Sequence, residues 1–411
     1  MQTVAEIFNI LLWIVSTIVA FYVLLPSFLL LIYGFKRLFG LSSSPLRKGV
    51  NITKEYSFGA IVAAHSDLTL VPPLVDSLLK QDYKNFTVYV VADNCTDINL
   101  PAYDERVKIL APETPFNDKT KSIRHAIEHF VVPHDAFIIF DSDNLVRPDY
   151  LSILNAYFNM GFRAVQTHML PKNTDTRFAQ MDAAGNHWCN FVDRLMHMEV
   201  GVSSAIWGLG VAIETELYKQ ILLEQFQHGQ FKNLGGFDKK MQAQLVKSLP
   251  LLAYAEEAVV YDEKIQDGSK LQKQRTRWIN AYFKSMHEAW EVTLHGLKKF
   301  RPGVVFFGIN MLRPPLFMLM GSAGLLCLFN IWWNWPMAIF WAAAIASFVV
   351  SFFAIVTVMS KDSGIFKAMF FLPIFVWRQV KALLRFNDAK RNFLRTANTK
   401  VVYIDEILKK N

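Results

Sequence analysis

The run Phe137-Ile138-Ile139-Phe140 is followed directly by Asp141-Ser142-Asp143-Asn144, so a strongly apolar stretch ends in two carboxylates. An apolar run of β-favouring residues closed by polar ones predicts a buried strand. Similar runs lie at residues 58–65, 88–92 and 163–168, with helical stretches between them. Because strands that alternate with helices form largely parallel sheets, the sequence predicts an α/β fold with ligands bound beyond the carboxyl ends of its strands.

Two long uncharged segments predict membrane helices. Of the 411 residues, 52% are hydrophobic and 19% are charged, which suits a soluble domain joined to a few spans. Residues 7–35 carry no charge, and this run is too long for the apolar core of a cleaved signal peptide. The 47 residues from 314 to 360 are also uncharged, and they are enough for two spans that turn near residues 330–336.

The distribution of positive charge predicts the orientation of these spans. Lys36, Arg37, Arg47 and Lys48 follow the first span, whereas only Glu6 precedes it. Basic residues also flank the predicted hairpin on both sides. By the positive-inside rule, the domain after the first span is cytoplasmic and the N-terminus lies on the opposite side. We therefore expect an integral membrane protein, with the bacterial inner membrane as its location.

The formal net charge of +8 is concentrated at the C-terminus. Residues 361–411 contain eleven Lys or Arg against four Asp or Glu, so the rest of the chain is nearly neutral. This distribution argues against nucleic-acid binding and favours attraction of the tail to the anionic head groups of a lipid bilayer. Cys95, Cys189 and Cys327 lack a metal-binding spacing, and a cytoplasmic location disfavours a disulfide.

Acidic residues follow two of the predicted strands. Asp141 and Asp143 can offer one carboxylate to a hard divalent cation and another to a sugar or ribose. Because a DxD spacing is common by chance, a solvated turn is the alternative interpretation. Asp93 ends the preceding strand, where it suits either a hydrogen bond to a nucleoside or an Asx turn. His65, at the end of the first strand, is either a packed histidine or a contact to a base.

The segment Gln274-Arg275-Thr276-Arg277-Trp278 opens an amphipathic helix. From Leu271 onward, Trp278, Tyr282, Met286 and Trp290 recur every four residues and form one apolar face. Such a helix is expected to run toward the membrane surface.

The chain resembles the membrane-bound family 2 glycosyltransferases, because it carries motifs like theirs in the same order. These are Asp93, the Asp141/Asp143 pair, an acidic residue near 238 and Gln274-x-x-Arg277-Trp278. This group contains the chitin, cellulose and hyaluronan synthases, and the resemblance covers roughly residues 55–300. It implies a GT-A type, Rossmann-like domain that binds a nucleotide sugar. It also implies a UDP-sugar donor and Mg²⁺ or Mn²⁺ as cofactor.

The resemblance assigns roles to these residues. It places Asp93 against the uridine nucleotide, and Asp141 and Asp143 against the diphosphate and the metal. It places Gln274, Arg277 and Trp278 beside the diphosphate and the acceptor sugar. These roles suit the side chains, because a guanidinium can neutralise a departing diphosphate and an indole offers a flat apolar face to a sugar ring.

Asp238 is the candidate catalytic base. The family usually has Thr-Glu-Asp here, whereas this chain has Gly236-Phe237-Asp238. The stretch 257–263, which resembles the strand after the family's catalytic aspartate, supports the placement. Inverting transfer needs one carboxylate to take the acceptor proton. The alternative for Asp238 is a helix cap, with Asp262 or Glu257 as the base.

Further substrate contacts are predicted at Trp207 and Lys121. Trp207 lies in a small-residue stretch, 203–210, that resembles the border of the family's acceptor site; an indole there could stack on a sugar or pack in the core. Lys121, close to Lys119, occupies the place of a family lysine near the nucleotide, although the glycine before it is missing. Gln166 and Asp182 are further candidate acceptor contacts.

The predicted divisions of the chain are a transmembrane anchor at 1–36, a cytoplasmic GT-A catalytic domain at 50–270, a QxxRW segment with interfacial helices at 271–312, a transmembrane hairpin at 313–360 and a basic interfacial tail at 361–411.

Three functions remain open at this stage. The first is an inverting glycosyltransferase that adds sugars from a UDP-sugar to the growing end of a β-linked glycan, with a second copy of the chain or an export partner as a conceivable companion. The second is transfer of one sugar to a lipid such as ceramide or polyprenyl phosphate, since those enzymes share the motifs. The third is a non-catalytic subunit that binds nucleotide or glycan. The sequence does not identify the sugar.

Overall fold

The computed structural model describes residues 2–41, 44–223, 237–384 and 400–409. Gly236, two residues before the predicted base, and residues 385–399, 410 and 411 of the predicted basic tail lie outside these residues. In the described chain the strands are β1 Phe58–His65, β2 Phe86–Asp93, β3 Val107–Leu110, β4 Ala136–Asp141, β5 Leu145–Val146, β6 Ala164–Pro171, β7 Val211–Glu214 and β8 Ala253–Asp262.

Helices cover both faces of the sheet, and further helices lie outside it. They are α1 Gln2–Leu38, α2 Val71–Leu79, α3 Lys119–Glu128, α4 Tyr150–Asn159, α5 Arg177–Asn190, α6 Met196–Glu199, α7 Thr215–Tyr218, α8 Phe237–Ser248, α9 Gly268–Lys284, α10 Met286–Lys298, α11 Pro302–Met311, α12 Leu316–Trp333, α13 Trp335–Met359, α14 Ser363–Ala368, α15 Leu372–Leu384 and α16 Ile404–Leu408. A π-helical turn, Phe191–Leu195, joins α5 to α6.

The strands form one sheet in the order β3-β2-β1-β4-β7-β6-β8-β5. β1 to β4 are parallel, as predicted, and β1 has the predicted bounds. β7 runs antiparallel between β4 and β6, and β5 runs antiparallel to β8. β7 can be antiparallel because the chain enters it from the 203–210 loop at the strand-end edge. The predicted α/β fold is therefore confirmed, with two reversed strands that the sequence did not reveal.

Successive side chains along each strand point to opposite faces of the sheet and form two apolar layers. Val62 and Val90 face α2 and α4, whereas Ile61 and Ile139 face α3 and α8. All four side chains are fully buried. Each such burial contributes about 1.5–3 kcal/mol, so the strand ends project from a rigid base.

A bulge interrupts the pairing of β6 with β8. Thr167 pairs with Ala255, but the next residue, His168, pairs with Val259. Glu256 and Glu257 therefore lie outside the regular ladder, and the strand resumes its register before Asp262.

Three described helices are long and apolar enough to cross a membrane, judged by length and composition: Glu6–Leu38 within α1, then α12 and α13. Asn334 separates α12 from α13, and its side chain accepts a hydrogen bond from the amide of Met337. α1 packs against both helices of this hairpin. The turn lies inside the predicted 330–336 region.

Candidate active site

The ends of β1 and β2 and the loop before α3 form a cradle. The Asp93 carboxylate is buried and accepts a hydrogen bond from the Phe116 amide at 2.7 Å. The side chain of Asn117 accepts from that of Asn94 at 3.3 Å and contacts the His65 ring nitrogen at 2.8 Å. A cavity of about 280 Å³ opens beside this cradle, lined by residues that include Ser66, Asp67, Cys95, Thr96 and Asp97.

Lys119 connects the β4 end to the loop before β7. Its ammonium donates to Asp141 Oδ1 at 2.5 Å and to the Gly208 carbonyl at 2.9 Å. Asp118 caps α3 by accepting from the Thr120 amide, and this cap sets the direction of the first turn. The Lys121 side chain is exposed, so Lys119 is the lysine that reaches the strand-end carboxylate. The sequence showed both lysines but not which of them faces the site.

Asp143 is buried at the junction of β4 and β8. Burial, followed by the nearby carboxylates of Asp262 and Asp141, raises the pKa of Asp143 to about 8. Asn144 joins the two strand ends by donating to Asp262 Oδ1 at 3.3 Å. The buried Lys264 ammonium donates to the other oxygen of Asp262 at 2.7 Å. Several acidic groups thus share a small volume, and the buried ammonium groups of Lys264 and Lys172 compensate part of their charge.

The chemistry of these carboxylates fits a hard divalent cation. No group of three or more His, Cys, Asp or Glu side chains is arranged to ligate a metal within the described residues. Mg²⁺ is commonly held by one or two carboxylates together with substrate phosphates, so such a group is not required. Carboxylates that raise the pKa of Asp143 form a negative region that a cation and a diphosphate would fill together.

Arg277 and Asp238 meet the site from two other elements. Asp141 and Asp238 both favour the cationic form of Arg277, although burial has the larger effect and lowers its pKa. Asp238 lies in the first turn of α8 and packs on Gly208, where a Cβ would be 3.1 Å from the Asp238 Cβ. Gly208 has φ of +79°, a conformation that suits glycine. The structure therefore brings the predicted base, the motif arginine and the first DxD carboxylate together.

The rest of the Gln274–Trp278 motif faces α5. Arg275 donates to Asp182 at 2.5 Å and lies 4.5 Å from the centroid of the Trp278 ring. Trp278 is 37% exposed, so part of its indole is open to solvent. The buried Gln274 Oε1 has no hydrogen-bond partner among the described residues. Asp182, predicted as an acceptor contact, pairs with Arg275, a motif residue without a predicted role.

Hydrogen bonds and a cation–π contact fix the position of Trp207. Its amide donates to Gln166 Oε1 at 3.0 Å, and its indole N–H donates to Asn190 at 3.3 Å. The Arg194 guanidinium carbon lies 3.8 Å from the ring centroid. Since this cation covers one face, only the other face of the half-buried indole is left for a sugar. Gln166 is fully buried and also donates to the Leu209 carbonyl, so it shapes the loop.

A buried ion pair links the site region to the hairpin of α12 and α13. Arg313, just before α12, donates from both terminal nitrogens to Asp193 at 2.8 Å. Asn310 donates to the same carboxylate at 3.1 Å. Burial favours protonation of Asp193, but Arg313 outweighs it and holds the pKa of Asp193 below its ordinary value. Asp193 and Arg194 both lie in the π-helical turn, a feature frequent at functional sites.

The two substitute bases differ in position. Glu257, in the β8 bulge, is hydrogen-bonded to Ser44 and accepts from Tyr157 at 3.1 Å, near the end of α1. Asp262 lies beside Asp143 and is paired with Lys264. Neither has the approach to Arg277 that Asp238 has.

Comparisons with known proteins identify the family of this chain. Residues 57–281, more than half of the chain, match the model of the family Glycosyltransferase like family 2. No curated protein sequence matches the chain. The structure resembles the mannosyltransferase PcManGT from Pyrobaculum calidifontis in complex with GDP-Man and Mn²⁺, with a TM-score of 0.52, 15% identity and coverage of 90% of this chain and 98% of that one.

A second similar structure is TarS 1-349 from S. aureus, with a TM-score of 0.42, 13% identity and coverage of 82% of this chain and 93% of that one. The predicted enzyme class is confirmed, and the non-catalytic alternative is set aside. The chain belongs to glycosyltransferase family 2, and it is an enzyme that transfers a sugar.

Proposed function

We propose that the enzyme transfers one sugar, with inversion, from a UDP-sugar to an acceptor hydroxyl at the membrane surface, with Asp238 as the base. The observation that carries this proposal is the convergence of Asp238, Arg277 and Asp141 around Gly208. A carboxylate, a guanidinium and a strand-end acid at one point are the groups that a single displacement requires.

The proposed reaction has one step. Asp238 accepts the proton of the acceptor hydroxyl as the oxygen forms a bond to the anomeric carbon. The bond from that carbon to the diphosphate oxygen breaks on the opposite face, and its electron pair leaves with the nucleoside diphosphate. Arg277 and Lys119 supply positive charge beside the leaving group. An α-linked donor therefore gives a β-linked product.

Asp141 and Asp143 are the residues that would hold the cofactor, Mg²⁺ or Mn²⁺. When bound, the ion neutralises charge on the diphosphate. The Mn²⁺ in the PcManGT complex supports a divalent ion in this fold. Asp93 and the adjacent cavity of about 280 Å³ are the proposed contacts for the nucleoside. Because PcManGT holds GDP-Man, a donor test includes GDP-mannose beside the UDP-sugars.

The membrane helices favour a lipid acceptor. Val23, Trp341 and Phe348 are buried where α1 meets the hairpin, so apolar side chains fill much of the described contact. The hydroxyls of Ser27 and Ser347 satisfy each other across it at 2.8 Å. A polymer needs a polar passage, whereas a lipid carrying a hydroxyl or phosphate can stay at the membrane surface.

Extension of a β-linked glycan is the second candidate. The open part of Trp278 supports it, since an exposed indole beside the site suits a sugar ring. A glycan product would need a passage completed by a second copy of the chain or by an export partner.

Asp238→Asn tests the reaction. We expect transfer to fall about 10²–10⁴-fold, because the amide cannot accept the acceptor proton. Binding of UDP with Mn²⁺, measured by calorimetry, should persist. Glu216→Gln is the matched control, since that side chain is 65% exposed. Transfer by Asp238→Asn at a rate near that of wild type would exclude Asp238 as the base.

Product length tests the acceptor. The purified enzyme is incubated with membrane lipids and each radiolabelled donor, and the products are separated by thin-layer chromatography and gel filtration. A lipid bearing one labelled sugar supports the leading proposal. A labelled polymer that grows with time supports the second candidate.

A further inference from the structure

The C-terminal segment 400–409 lies on the catalytic sheet. The whole region 361–411 is predicted to be a basic interfacial tail, but the described end of it packs against the protein. Val402, Ile404 and Ile407 are buried in one apolar cluster with Leu145, Val259 and Tyr261. Ile404 and Leu145 are both fully buried.

The sheet residues under this segment adjoin the proposed metal and nucleotide site. Leu145 directly follows the 141–144 turn, and Tyr261 directly precedes Asp262. The two residues pair across the β5–β8 ladder. β5 has only two residues and forms the edge of the sheet. An edge strand of this length has little stability of its own, so the packing of the C-terminal segment covers and supports it.

Polar contacts also connect the segment to the acidic cluster. The Lys400 amide lies 3.3 and 3.2 Å from the two carboxylate oxygens of Glu263, the residue after Asp262. Lys172 lies 3.8 Å from Glu263, and its ammonium donates to the Asp143 carbonyl at 3.1 Å. A short path of contacts therefore runs from Lys400 to the backbone of Asp143.

A second polar anchor holds the far end of the segment. Asp405 pairs with Lys80 at 2.6 Å, and Lys80 also pairs with Asp76 in α2. The Tyr403 amide donates to Glu406 at 2.9 Å, which closes the first turn of α16. Lys400 additionally pairs with Asp175. The segment is thus attached at both ends and packed in the middle.

We propose that residues 400–409 are a positioning element of the donor site, holding the 141–144 turn and Asp262 in the arrangement that binds the metal and the diphosphate of the sugar donor. The inference rests on the proposed role of Asp141 and Asp143. Its physical basis is that one apolar cluster joins Ile404 to Leu145, which follows the 141–144 turn, and to Tyr261, which precedes Asp262. A displacement of about 1 Å in such a turn is enough to weaken a site of fixed geometry.

Ile404→Asp in the full-length enzyme tests the proposal. A buried carboxylate should lift the segment from Leu145, so we expect Mn²⁺ with UDP to bind about 10- to 100-fold more weakly. The KM for the donor should rise while kcat changes less. Binding is measured by electron paramagnetic resonance of Mn²⁺, independently of turnover. Val131→Asp, the same charge at a side chain 57% exposed outside the segment and the site, is the matched control and should bind as wild type does.

Milder changes keep the test decisive if Ile404→Asp does not fold. Ile404→Ala should raise the KM several-fold, and Ile404→Val should restore it. Wild-type binding of Mn²⁺ and UDP by a folded Ile404→Ala protein would overturn the proposal. If the wild-type enzyme itself binds neither UDP nor GDP with Mn²⁺, the proposed function fails and this inference fails with it. If the wild-type enzyme binds Mn²⁺ with the nucleotide and the Ile404 variants bind it equally well, only the positioning role is rejected and the proposed function stands.

Discussion

Two regions of the molecule surround the candidate site, and they are built differently. The strand-end site, comprising Asp93, Asp141, Asp143 and Lys119, joins charged groups to backbone atoms at the edge of one sheet. The helix seam, comprising the pairs Arg275–Asp182, Arg194–Trp207 and Arg313–Asp193, joins α5 and its π-helical turn to distant segments. The strand-end site positions charged groups for a reaction, whereas the helix seam fixes helices and loops relative to one another. Substitutions should therefore impair catalysis in the strand-end site and stability in the helix seam.

Arg313→Ala should have the largest effect. It leaves the Asp193 carboxylate buried without its bidentate partner, which costs about 3–5 kcal/mol of unfolding free energy. The measurement is thermal unfolding in detergent, with ligand-free protein. Arg163→Ala breaks an exposed pair with Glu214 and serves as control, with an expected loss of about 1 kcal/mol or less. Equal losses for the two variants would contradict the distinction between the regions.

Asp141→Asn should affect catalysis with little loss of stability. The amide keeps the shape and an acceptor for Lys119, but it removes the negative charge proposed to hold the cation. We expect transfer to fall about 10²–10³-fold, as measured by nucleotide release at saturating donor. Asp104→Asn, in an exposed pair with Arg106, is the control. A drop in unfolding temperature as large as that of Arg313→Ala would place Asp141 with the structural residues instead.

Gly208→Ala should have a smaller effect on both properties. Alanine at φ of +79° is strained, and its Cβ would lie 3.1 Å from that of Asp238. We expect a loss of about 1 kcal/mol in stability and about tenfold in kcat. Gly161→Ala is the control that measures the cost of backbone strain alone, because that glycine has φ of +89° with nothing within 4 Å of the added Cβ. Similar kcat losses in both variants would mean that the contact with Asp238 is unimportant.

The pH dependence of ligand-free stability should show the most gradual effect, because it is spread over several pH units. Asp143 has its pKa raised from 3.8 to about 8, so between these values the folded state keeps a proton that the unfolded state has lost. The contribution of this group to stability is therefore present at low pH and is lost as pH rises through this window. We expect the unfolding temperature to decline as pH rises through this window, and the decline to be absent in Asp143→Asn. An unchanged slope in that variant would assign the decline to other groups.

The strand-end site was largely accessible to sequence reasoning. Parallel strands end at one edge, so apolar runs closed by Asp93 and Asp141 predict neighbouring carboxylates. The structure places these ends on either side of β1. The choice of Lys119 over Lys121 was not accessible, because the Asp118 cap decides which lysine of α3 faces the sheet.

The helix seam could not have been predicted in the same way. Arg275 and Asp182 are 93 residues apart, and Arg313 and Asp193 are 120 residues apart. No local periodicity encodes such pairs, since each depends on how separate helices pack. The β8 bulge is a similar case: the alternation along the strand does not reveal that Glu257 turns toward Ser44 while Asp262 stays with Asp143.

The cradle at the ends of β1 and β2 has a kinetic consequence. Ser66, Asn94 and Asn117 all adopt left-handed backbone conformations, with φ of 60°, 56° and 49°. Such conformations are common only for glycine and, less often, asparagine, so surrounding contacts are needed to enforce them, above all at Ser66. Hydrogen bonds from Asn94 to Ser66 and Asn117 provide that enforcement. These loops are thus ordered during folding, so nucleotide binding does not have to order them. An arriving nucleotide should therefore associate in a single fast phase without a loop-closing step.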